Sequence, residues 1–76
     1  MRVFLRRDPK IRWLFQFSFN GRKWYSVSDR DVVRLPPYGP LCERLNRVFV
    51  GKTEVFDGCY CRETQALALV AVPVCS

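Results

Sequence analysis

Four cysteines and an absent histidine define the side-chain chemistry open to this 76-residue chain. Histidine is the commonest general base at neutral pH and the commonest metal ligand, so its absence removes every His-containing triad. Cys42, Cys59, Cys61 and Cys75 could hold tetrahedral zinc as thiolates, and a small domain would gain from that cross-link. Their spacing opposes it. Zinc knuckles typically use two Cys-x₂-Cys pairs, whereas here Cys59-Tyr60-Cys61 stands beside two isolated cysteines. A disulfide framework lacks a secretory signal to accompany it. The expectation is buried free thiols acting as small hydrophobes, with no cofactor.

The seven carboxylates offer no better catalytic set. Asp8, Asp29, Asp31, Glu43, Glu54, Asp57 and Glu63 fall mostly in expected turns or on a polar helix face, and no two are spaced as acid and base. Asp29 and Asp31 follow Ser28, where capping and the helix dipole account for them. Gly51-Lys52-Thr53 imitates the end of a phosphate-binding loop. Position 46 is Asn where that motif needs glycine, and the triplet follows an expected helix instead of opening one. The chain reads as a non-enzyme.

What remains is charge. Residues 1–34 hold nine Lys/Arg (Arg2, Arg6, Arg7, Lys10, Arg12, Arg22, Lys23, Arg30, Arg34) against Asp8, Asp29 and Asp31. Residues 35–76 are balanced, so the whole net charge of +6 lies in the N-terminal half. Such asymmetry points to nucleic acid or an acidic protein surface. A solubilising surface is the bland alternative.

These cations need a scaffold. Ile11, Trp13, Phe15, Phe17 and Phe19 occupy alternate positions, the period of a half-buried strand. Asn20-Gly21 then signals a type I′ turn, and Arg22 to Val27 returns. A two-residue loop sets Phe17 opposite Trp24 and Gln16 opposite Tyr25. The expected core face is Ile11, Trp13, Phe15, Phe17 and Trp24. Arg12, Lys23 and Tyr25 then share the outer face with Leu14, Gln16, Ser18 and Val27. Arg6, Arg7 and Lys10 gather at one end of this hairpin, and Arg22 lies by the turn. Lysine and arginine neutralise phosphates, and an exposed tyrosine can stack on an unpaired base.

The other elements follow from pattern. Arg2 to Arg6 alternates as a first strand, with Val3 and Leu5 on one side. Ser28 starts at most one or two helical turns before Pro36-Pro37 stops them. Leu41, Leu45, Val48 and Phe49 mark one face of a helix over residues 40–49, capped by Gly51. Asp57-Gly58 predicts a second hairpin between Thr53–Phe56 and Cys59–Arg62. Residues 66–74 read as a buried strand with Pro73 near its edge, a helix over 63–70 being the alternative. Ala66, Ala68 and Ala71 would let the main helix approach closely. Together they predict one α+β domain over residues 1–76: an antiparallel sheet of four to six strands built from β-hairpins, with one main helix on one face.

No apolar run reaches the roughly 20 residues of a membrane span, and Val3-Phe4-Leu5 is too short for a signal sequence. The chain therefore reads as intracellular, without a membrane partner. Three functions fit. The favoured one is nucleic-acid binding through the basic N-terminal hairpin. The second is a small inhibitor or adaptor, of the kind phages and mobile elements encode, docked on a larger protein such as nucleic-acid-handling machinery. The third is a zinc-stabilised structural module. A homodimer through a sheet edge is compatible with each.

Overall fold

The structure, a computed structural model, describes residues 1–36 and 38–70. Six strands form one sheet: β1 (Arg2–Arg7), β2 (Leu14–Ser18), β3 (Tyr25–Ser28), β4 (Val32–Arg34), β5 (Glu54–Cys61) and β6 (Ala66–Val70). Their order is β3-β2-β1-β5-β6-β4, antiparallel except for the β4–β6 pair. One helix, α1 (Tyr38–Asn46), lies between β4 and β5 in sequence. This is the expected α+β architecture, with a mixed sheet in place of a purely antiparallel one.

Alternation determines which residues the helix covers. Val3 and Leu5 of β1 pair with the positions that place Phe17, Phe56 and Glu54 on their own face. Leu67 and Leu69 follow through β5, and Val32 through β6. Leu41 and Leu45 of α1, four residues apart, join them with Val48 in one buried cluster, as an amphipathic helix face requires. The leucines of β6, and not Ala66 and Ala68, meet this cluster; the alanines alternate to the opposite face. Ala71 lies outside the described residues.

Two helix boundaries differ from expectation. The helix starts at Tyr38, so Pro40 is its third residue, still within the first turn whose N–H groups have no intrahelical partner. It stops at Asn46, where Arg47 and Val48 N–H groups bond the Arg44 and Leu45 carbonyls three residues back, a tightening typical of helix ends. Val48 stays buried, but Phe49 is 56% exposed. Gly51 has a positive φ of 81° in a turn well beyond the helix and is not its cap. Ser28 opens only the short 3₁₀ turn Asp29–Asp31. The stop expected at Pro37 lies on a residue outside those described.

The first hairpin slips by one residue. Phe17 pairs with Tyr25 and Phe15 with Val27, which turns every β3 side chain to the opposite face from the expected one. Side chains in the connection cause the slip. Ser18 Oγ accepts the N–H groups of Asn20 and Gly21, and Asn20 Oδ1 accepts those of Arg22 and Lys23. Only Gly21 has positive φ, so the two-residue type I′ turn, which needs two such residues, does not form. Val27 enters the core and Trp24 leaves it. Ile11 and Trp13 also lie outside, Trp13 at 61% exposure. Asp8 Oδ1 accepts the N–H groups of Lys10 and Ile11 and holds residues 8–13 as a connection.

The hairpin expected at Asp57-Gly58 is absent, because residues 54–61 form one continuous strand. Gly58 marks a close approach of backbone instead. A Cβ there would lie 2.1 Å from the Ala68 carbonyl oxygen. The turn falls at residues 62–65, where Gln65 takes φ 56°, and this ends the helical alternative for 63–70. Of the strand expected over 66–74, residues 71–74, with Pro73, lie outside those described. Gly58→Ala should lower stability by about 1–3 kcal/mol through overpacking. Urea unfolding checks this, and an unchanged midpoint would show that β6 yields without cost.

Candidate functional site

The slipped register redistributes the cations chosen from sequence. Arg6 and Arg7 are neighbours on β1 and therefore point to opposite faces. Arg6 lies with its guanidinium carbon 3.8 Å from the Trp24 ring centroid and donates to Gln16 Oε1 at 2.7 Å. This stack sits on the face that carries no helix. Arg7 lies on the helix side, 4.6 Å from the Phe15 ring centroid, and donates to the Val48 and Arg12 carbonyls.

Arg12 and Lys23 do not meet. Arg12 precedes β2 and Lys23 follows it. The five residues of that strand hold them roughly 13 Å or more apart along its axis. Two clusters replace the single expected one. Arg7, Lys10 and Arg12 line a surface cleft of about 540 Å³ together with Asn46 and the exposed Phe49 and Val50. Arg22 and Lys23 occupy the β2–β3 loop, where Lys23 Nζ stands 5.7 Å over the Tyr25 ring.

Tyr25 belongs to a group of aromatic rings that sequence reasoning did not assemble. Its pairing with Phe17 sets both on the helix-side face, with ring centroids 5.5 Å apart. Phe19 meets Phe17 edge-on at 5.6 Å. Tyr60 comes from the far end of β5, beyond the point where the Gly58 N–H bonds the Met1 carbonyl, and its ring centroid is 4.9 Å from that of Phe17. These four rings, Ser26 and Arg62 line a pocket of about 390 Å³. Phe17 is its buried floor. Phe19 and Tyr25 are 37% and 44% exposed. The period-two aromatic run signalled Phe17 and Phe19, but Tyr60 lay in a segment read as half of another hairpin.

The cysteines divide as well. Cys42 is exposed on α1, while Cys59 and Cys61 alternate onto the helix-free face of β5. None of these three is a buried thiol; β5 directs two of them to an uncovered face. Among the described residues no three His, Cys, Asp or Glu side chains gather to hold a metal. Cys75 lies outside them. Cys61 differs chemically. The Thr64 hydroxyl, and then the N–H groups of Thr64 and Glu63, hold its thiol below the ordinary value.

Among the described residues the edge strands of the sheet are β3 and β4, of four and three residues. No helix among the described residues is long and apolar enough to cross a membrane. Compared with known proteins, the chain matches no family model, no curated protein and no solved structure.

The Cys61 contacts predict its reactivity. Thiolates and not thiols are the nucleophiles, so alkylation of Cys61 should reach half its limiting rate at a lower pH than free cysteine. Thr64→Val, which removes the hydroxyl but keeps both N–H groups, should move that midpoint upward. Mass spectrometry of the Cys61 peptide across a pH series measures it, and an unmoved midpoint would assign the effect to the backbone alone.

Proposed function

We propose that this chain is a non-catalytic nucleic-acid-binding module acting through its N-terminal three strands. One observation carries the reading. Arg2, Arg6, Arg7, Lys10, Arg12, Arg22 and Lys23 form no ion pair with any carboxylate among the described residues. The one acid in that segment, Asp8, is engaged by the N–H groups of Lys10 and Ile11 and, at 3.4 Å, by Gln16. Arg6 and Arg7 donate to neutral groups and keep their full charge. Uncompensated cations on one part of a small domain attract polyanions, and release of condensed counterions then drives binding. Their distribution around both loops and both faces suits contact with a backbone more than readout of base edges.

A second reading, docking on the acidic surface of a larger protein, draws on the other cleft. There Phe49 and Val50 are exposed beside Lys10 and Arg12, an apolar anchor within a basic rim of the kind found at interface hot spots.

Fluorescence anisotropy of labelled DNA and RNA oligomers across a salt series tests the first reading. Affinity should fall steeply with salt, and the Arg12→Glu/Lys23→Glu double variant should lower the log–log slope by about 1.5 or more. Absence of binding at low salt would sink the nucleic-acid reading and turn attention to a protein partner.

A further inference from the structure

Resting on the nucleic-acid reading, we infer that the pocket of Phe17, Phe19, Tyr25 and Tyr60 receives an unpaired base, making single-stranded nucleic acid the favoured ligand. The pocket has the parts such a ligand needs. Phe17 closes its floor, and Phe19 and Tyr25 stand over it with a third or more of their surface in water. Tyr25 and Tyr60 are tilted 31° and 32° to Phe17, so each ring lies closer to parallel with Phe17 than to edge-on. A flat heterocycle entering there meets π-faces and not an aliphatic wall. The volume of about 390 Å³ lies at the small end of ligand sites, enough for one planar group and its sugar.

The rim supplies the charge. Lys23 stands by Tyr25 on the β2–β3 loop, next to the exposed Arg22, and Arg62 lines the pocket from the β5–β6 turn. Cations therefore bracket the aromatic rings from two separate loops, which matches a base flanked by its own phosphates. A duplex cannot use this arrangement, because its base faces are stacked on one another and only edges show in its grooves.

The test compares three labelled probes of equal length by anisotropy at low salt: an oligothymidylate, an abasic strand with the same phosphates, and a duplex. Tyr25→Thr and Phe19→Ser, both at exposed positions, are assayed beside the parent after a thermal melt confirms each is folded. The oligothymidylate should bind about tenfold or more tighter than the abasic strand. Each aromatic variant should lose most of that advantage and keep its affinity for the abasic strand, whereas Lys23→Glu should weaken both. Equal affinity for the oligothymidylate and the abasic strand, or a duplex preferred over both, would overturn the pocket inference and leave the charge reading intact. Variants that melt with the parent yet bind the oligothymidylate as tightly would do the same. No binding of any probe would remove both.

Discussion

One short helix has to cover a six-stranded sheet, and the rest of the molecule adjusts to that shortage. Nine residues of α1 span about 14 Å. Six strands at roughly 4.8 Å spacing extend over about 24 Å. A helix is about 10 Å across with its side chains, so it can roof two or three strands. Leu41 and Leu45 join Val3, Leu5, Phe56, Leu67 and Leu69 in the core. The same cluster takes in Phe15, Phe17 and Val27 of β2 and β3, and over Phe17 the cover comes from the rings of Phe19, Tyr25 and Tyr60. Large rings can exclude water from one another without a second layer, but their outer surfaces remain accessible. The aromatic pocket is lined by residues of the strands and their connections, without a helix residue among them.

Among the described residues no element layers the opposite face, and its side chains show how a sheet tolerates water on one side. Arg6 lies flat on Trp24 and binds Gln16, so the indole is shielded by an arginine that keeps its charge in solvent. Asp8 and Asn20 play the corresponding role in the loops, each folding a side chain back on two backbone N–H groups. Polar side chains that satisfy local backbone compete with regular hairpin turns. In this chain they win at both ends of β2.

That competition explains what could be read from sequence. Strand β1, the core face of α1 and the α+β class follow from periodicity, because burial of alternate or fourth residues is a property of each segment alone. Register is not. Asn20-Gly21 satisfies the rule for a tight turn, yet Ser18 and Asn20 hydroxyl and amide groups open it, and a slip of one residue moves Tyr25 and Val27 to the core side. Asp57-Gly58 satisfies the same rule, yet its glycine answers to Ala68 on a strand ten residues away. The basic residues were legible as a group, but their grouping in space was not, since Arg12 and Lys23 belong to different loops. Tyr60 reaches the site only through the sheet order, which no local pattern reports.

The parallel pairing of β4 with β6 has a consequence for how the molecule assembles. Val32 can meet Leu67 only after the intervening chain has folded back as α1 and β5, so that contact closes a long loop, exceeded in the sheet by the β1–β5 pairing of Val3 with Phe56. Closing it orders the whole C-terminal half for the gain of a three-residue ladder, a bargain that favours late formation. The N-terminal three strands, joined by short local connections, can associate first. The chain therefore carries its positive charge on the segment that is able to order earliest, and a polyanion present during synthesis would meet that surface before the sheet is complete.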